Sequence, residues 1–229
     1  MYKAALTTLL LGTLLLSACG QTPQPAPDAQ SGETASALPT TTASQDDAAV
    51  FQQTLKDLRD AKARVAAGEA APTDAQGQPL DLDALIRQYE AHLQSAQTRA
   101  LEPNITAQSL YSQYFRTIVA DDHFRANYSN WRRGFPGYNW SNDGCSGPAN
   151  RTGYGDNFLW PCIQHDFGYR NNRLAGQHNE STRLFIDVAF LRHMNQLCSH
   201  YSWYAKPGCY AMANVFYNGV RFGGWSSFY

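Results

Sequence analysis

Four cysteines, at 145, 162, 198 and 209, in a chain whose first residues direct it out of the cytoplasm, constrain this fold more than any other feature. Residues 1–18 carry Lys3 in a short n-region, an apolar run through Leu16 and small residues up to Cys19. That pattern is an export signal, with an apolar core too short for a membrane span. Outside the cytoplasm, disulfides persist. The ending Leu16-Ser17-Ala18-Cys19 resembles a bacterial lipobox, which implies cleavage before Cys19 and a lipid on its sulfur. An ordinary signal peptide that contains a cysteine is the alternative. With Cys19 as the lipid anchor, the remaining four cysteines make an even set. Three pairings are open. Proximity along the chain favours Cys145 with Cys162 and Cys198 with Cys209, and closing the first loop is worth about 3 kcal/mol in the chain-entropy picture.

Residues 19–48 are rich in Pro, Gln, Ser, Thr and Ala and nearly free of large apolar side chains. Such a segment cannot bury enough surface to offset its chain entropy, so it is expected to be a disordered tether. Within residues 49–103, Phe51, Leu55, Leu58 and Val65 recur at helical spacing, as do Leu82, Leu85, Ile86, Tyr89 and Leu93. The Gly68–Pro79 stretch between them predicts a helical hairpin, for which packing or spacing is the plainest role. Composition then changes. Residues 19–103 hold six basic and twelve acidic side chains, a net of −6, and residues 104–229 hold eleven and seven, a net of +4. This split suggests that the acidic hairpin covers the basic domain and limits access to it. Ten of the eleven basic residues after 103 are arginines, a side chain suited to phosphate.

The second part reads as mainly helical. Helices are expected over Ile105–Val119, from Trp160 or Pro161 to about Asn172, over Glu180–Leu197, and from Cys209 to a stop at Gly223-Gly224. Residues 125–158, full of Gly, Asn, Ser and Pro, read as one long loop. On the helix near 165, Cys162, His165, Asp166 and Tyr169 share one face. On the next helix, Asp187 falls in an inward stripe with Leu184, Phe190, Leu191 and Met194. A carboxylate in such a stripe is costly unless paired, and His165 is the candidate partner. The pair would fix the imidazole tautomer and leave the other ring nitrogen free as a base. A satisfied core histidine is the plain alternative. Asp166 and the loop residue Asp143 supply hard oxygen donors suited to calcium. Zinc fits less well once the thiols are oxidised. Ser141 and Ser146 have no nucleophile elbow. His123, His178, His193 and His200 read as polar or packing residues. The aromatic tail suits either packing or a lipid interface, and Trp225, Phe228 and Tyr229 are expected to be exposed.

Residues 141–173, the later "FIDVAFLRHM" and "CYAMANVFYNGVRFGG" resemble the prokaryotic and fungal secreted phospholipase A2 family. The resemblance covers about residues 104–229, with the Cys-x-x-His-Asp-x-x-Tyr signature at Cys162, His165, Asp166 and Tyr169. It implies a small helical domain stapled by two disulfides, with two antiparallel core helices, behind the tether and the hairpin. It also implies that His165 is the general base, Asp187 its orienting partner, and Asp143, the Gly144 carbonyl and Asp166 the calcium site. The expected activity is calcium-dependent hydrolysis of the ester at the middle position of a glycerophospholipid. Its partner is a phospholipid membrane surface, not nucleic acid, and a monomer is expected. The expected location is an exported, membrane-anchored lipoprotein, or otherwise a secreted protein. A non-catalytic calcium- or membrane-binding lipoprotein on the same scaffold is the alternative, and a structural envelope protein the third reading. The loop at Arg151–Asp156 and the Cys198–Cys209 segment depart from the family pattern.

Overall fold

The computed structural model describes residues 43–100, 110–146 and 156–229. The export signal, Cys19, the tether up to residue 42, the first turn of the helix expected from Ile105, and loop residues 147–155 lie outside the described residues. Among the described residues the chain is helical and forms no strand. Its helices are α1 Ala43–Ala66, α2 Leu82–Ala100, α3 Leu110–Val119, α4 Phe124–Gly134, α5 Leu159–Asn171, α6 Glu180–Cys198, α7 Lys206–Gly223 and the short α8 Trp225–Phe228.

Helices α1 and α2 form the hairpin. In the connection, the Asp74 Oδ1 atom accepts from the Gln76 and Gln78 amides, and Gly77 takes a φ of 77° that suits glycine. Asp81 caps α2 by accepting from the Ala84 amide at 2.8 Å. Helix α1 starts ahead of the expected boundary at 49. Asp46 lies in its first turn, where the helix dipole favours a negative charge. Asp47 is buried, with Oδ1 3.0 Å from Nε of Arg192 on α6. A charge pair formed across the fold thus recruits residues whose composition reads as tether.

The hairpin shares one core with α5, α6 and α7. Phe51, Leu55, Leu58 and Tyr89 lie in the same apolar cluster as Phe190, Leu191, Met194, Tyr210 and Phe216. Polar groups cross the seam as well. The Tyr89 hydroxyl donates to Asn195 Oδ1 at 2.8 Å, His92 Nε2 is 2.9 Å from Asn214 Oδ1, and Tyr210 donates to Asp57 Oδ2 at 2.8 Å. A second cluster packs α3 and α4 against another face of α5, through Phe115, Ile118, Phe124, Tyr138 and Phe167.

The loop expected from 125 begins instead with helix α4. Asn and Ser are weak helix formers, but tertiary contacts override that preference. Phe124 is buried, and the Asp121 carboxylate accepts from Asn127 Nδ2 at 2.9 Å and Trp131 Nε1 at 2.7 Å. His178 and His193 also have definite partners. His178 Nδ1 lies 2.5 Å from Asn172 Oδ1, and His193 sits buried beside Arg192 and Asp122. Phe228, expected to be exposed, is buried against Tyr169 and His178, whereas Trp225 is 56% exposed.

Because Leu58 is fully buried in the shared core, Leu58→Ala is expected to cost about 2–5 kcal/mol. Chemical denaturation should show the hairpin and the disulfide-bonded helices melting in one transition. His193 gives a pH-dependent contribution. Its Nε2 lies 3.0 Å from Arg192 Nη2 and 3.2 Å from Asp122 Oδ1. Burial, and then the Arg192 charge, push the ring down to about 4 from 6.5. The unfolded chain binds the extra proton first, so this contribution is complete above pH 6.5 and lost as pH falls toward 4. It amounts to at most about 3 kcal/mol. Denaturation midpoints across this range should fall less steeply in His193→Gln.

Candidate active site

Helices α5 and α6 run antiparallel, because His165 meets Phe190 while Tyr169 meets Asp187, one turn nearer the start of α6. Their approach depends on Gly168. A Cβ there would stand 2.7 Å from Ile186 Cγ2, closer than side chains pack. The two disulfides are Cys145–Cys162, which fastens the 141–146 loop to α5, and Cys198–Cys209, which ties α6 to α7. The pairs Cys198–Cys209, Phe190–Phe216 and Asp187–Arg221 step along α6 and α7 in opposite directions, so this second pair is antiparallel too.

A cleft of about 570 Å³ opens between the 143–146 loop, α5, α6 and α7. His165, Asp166, Tyr169 and Arg170 line it on one side, and Phe190, Val215, Phe216 and Val220 on the other. Among the described residues, none of α1 or α2 contributes to its walls.

His165 is 8% exposed, and its Nε2 lies 2.8 Å from Asp187 Oδ1. Asp187 has no exposed surface and lies behind the histidine, away from the cleft walls. The Tyr169 hydroxyl donates to the same Oδ1 at 2.8 Å. Burial, and then the adjacent Asp187 charge, push the Tyr169 phenol far above its usual range, so it remains a donor. On the other oxygen, Oδ2, Arg221 Nη1 donates at 2.7 Å and Arg183 Nη1 stands at 3.7 Å. Glu180 binds both arginines, accepting from Arg183 Nε at 2.7 Å and Arg221 Nη2 at 2.6 Å. This engagement of Nε2 leaves Nδ1 as the ring nitrogen not bound to Asp187. A neutral imidazole so held can accept a proton and have the resulting charge stabilised from behind.

The expected metal residues also converge. Asp166 Oδ2 accepts from the backbone amides of Asp143 at 2.9 Å and Gly144 at 3.1 Å. Gly144 has a φ of 63°, a conformation natural to glycine, which turns the loop over Asp166. Burial, with the charge of Asp143 nearby, pushes the Asp166 carboxyl up. A hydrogen bond from Ser146, aided by Arg170, holds Asp143 down. Arg170 reaches the Asp143 carboxylate and the Ser141 carbonyl. The two carboxylates brought together offer oxygen donors only, and a divalent cation would relieve the destabilised charge on Asp166. That donor chemistry fits calcium. The described residues contain no cluster of three or more His, Cys, Asp or Glu side chains of metal-binding type, so backbone carbonyls and water must complete such a shell.

Ser146 is hydrogen-bonded to Asp143, and Ser141 Oγ donates to Asn139 Oδ1, so neither serine is paired with His165. Sequence reasoning missed Arg221, Arg183 and Glu180. The i, i+4 spacing of Arg183 and Asp187 was a usable local signal. Nothing local points to Arg221, which comes from another helix.

Residues 112–224 match the family model described as prokaryotic phospholipase A2. The chain is 38% identical over 88 residues to a secretory phospholipase A2 of Beauveria bassiana, covering 38% of this chain and 45% of the relative. It is 33% identical over 91 residues to a secretory phospholipase A2 of Arthroderma benhamiae, covering 38% of this chain and 60% of the relative. The chain thus spans about half the length of these curated relatives.

Tyr169→Phe removes one donor to a fully buried carboxylate. The expected loss is about 1.5–3 kcal/mol of stability, the usual range for a hydrogen bond to a charged group. Urea denaturation of the variant, with its circular dichroism unchanged, checks this.

Proposed function

We propose that the chain is, through residues 112–224, a member of the secreted phospholipase A2 family and hydrolyses the ester at the middle position of glycerophospholipids in a calcium-dependent reaction. The observation that carries this reading is the buried Asp187 hydrogen-bonded to His165 Nε2, with the ring on the wall of an open cleft. His165 Nδ1 takes a proton from water as that water attacks the ester carbonyl. Asp187 holds the ring's orientation and stabilises the imidazolium, which then returns the proton to the departing alkoxide. Tyr169 keeps the carboxylate turned toward the ring.

Asp143, the Gly144 carbonyl and Asp166 would hold the calcium ion. When bound, calcium supplies positive charge for the polarised ester carbonyl and for the substrate phosphate. The apolar wall of Phe190, Val215, Phe216 and Val220 suits an acyl chain. Near its mouth, Val215 is 52% exposed and Phe222 on the same face of α7 is 87% exposed, which favours contact with a lipid surface. Export is in keeping with relatives named secretory. Among the described residues no helix is long and apolar enough to cross a membrane, so anchoring would rest on lipid at Cys19. The domain division proposed is signal 1–18, tether from Cys19, helical hairpin to 103 and catalytic region 104–229, with the hairpin built into the catalytic core.

Fatty-acid release from phosphatidylcholine and phosphatidylglycerol vesicles labelled in the middle chain tests this reading. Turnover should require calcium and stop with excess chelator. His165→Asn should lower kcat by about 10²–10⁴-fold, the range for loss of a general base. Unchanged turnover in that variant would overturn the assignment, and release of the outer chain would overturn the position. Calcium and vesicle binding without any hydrolysis would favour the non-catalytic lipoprotein.

A further inference from the structure

We propose that Arg221 is a positioning residue of the His165–Asp187 pair, acting from α7 on the carboxylate rather than on substrate; this rests on the hydrolase reading above. Asp187 uses its two oxygens differently. Oδ1 accepts from both His165 and Tyr169, and Oδ2 accepts from Arg221 at 2.7 Å. The terminal torsion of an aspartate is broad and roughly two-fold. A carboxylate held through one oxygen alone can swing, whereas donors on both oxygens fix its plane. Arg221 therefore fixes from Oδ2 the plane of the carboxylate that Tyr169 holds at Oδ1, keeping Oδ1 presented to the imidazole.

The neighbouring cation does not make this contact. Arg183 stands 3.7 Å from Oδ2, and its Nε and Nη2 are committed to Glu180 while Nη1 donates to the Arg221 carbonyl. Arg221 itself spans two carboxylates, Asp187 and Glu180, with one planar fork. A lysine offers the charge without that fork. The Arg221 side chain is absent from the cleft walls, although Val220 and Gly223 on either side belong to them. Its position thus argues against a direct substrate contact. The Cys198–Cys209 bridge and the antiparallel course of α6 and α7 set the register that delivers it to Asp187.

The test uses the full chain, calcium and a short-chain phosphatidylcholine below its micellar concentration, with R221Q, R221K, D187N and the R221Q/D187N double variant. R221Q is expected to lower kcat by about 10–100-fold with KM within about twofold, as for loss of an outer-shell orienting group. R221K should recover part of that loss. In the D187N background R221Q should cost less than about twofold more, because the residue it acts through is already gone. A raised KM with unchanged kcat would overturn the proposal, as would an equal fall in the D187N background or full kcat in folded R221Q. The imidazole N–H resonance of His165, assigned by its loss in H165N, provides a readout free of turnover. It should shift or broaden in R221Q and stay closer to wild type in R221K, and an unchanged resonance in R221Q would count against the proposal. Should R221Q fail to fold, R221K decides by the same two measurements. If H165N retains turnover, the hydrolase reading fails, and the resonance alone then decides whether Arg221 orders the pair.

Discussion

A carboxylate with no exposed surface organises this molecule. Asp187 costs several kcal/mol to bury as an unpaired ion, so the neighbouring helices must deliver donors. Helix α5 contributes His165 and Tyr169 and α7 contributes Arg221, while Arg183 on α6 itself adds its charge at 3.7 Å without a hydrogen bond. Satisfying that one group fixes how the three helices lie together. The same arrangement leaves one nitrogen of His165 not bound to Asp187, so the stability requirement and the proposed chemistry have a common origin.

The rest of the fold supports this centre from two sides. On one side α3 and α4 close over α5, and Gln164 Nε2 caps the end of α3 by donating to the carbonyls of Ile118, Val119 and Asp121. On the other, the hairpin lies against α6 and α7 and buries Arg192 together with Asp47. The hairpin adds Phe51, Leu55, Leu58 and Tyr89 to the apolar cluster of α6 and α7. None of its described residues lines the cleft.

Much of the site was legible because the relevant signals are local. Cys162, His165, Asp166 and Tyr169 share a face through helical geometry alone, and Asp187 stands out as a charge in an apolar stripe. The two disulfides join cysteines close in sequence, which made their pairing the simplest of the three. The failures have equally physical causes. Helix α4 is poor in helix formers and is held by Asp121 and aromatic packing, which no propensity captures. Phe228 belongs to an aromatic tail that reads as exposed, yet it packs against Tyr169.

By itself, the sequence determined the helical periodicities, the even set of cysteines that pair and the residue types able to act as base, orienting acid and oxygen ligands. These follow from local spacing and from compartment chemistry. Only the tertiary structure decided that Arg221 completes the Asp187 environment, that Arg170 bridges toward Asp143, and that the hairpin enters the core through Tyr89, His92 and Asp47. Those contacts join residues far apart in the chain, and a buried charge finds its partner through the packing of whole helices, which short-range pattern does not encode.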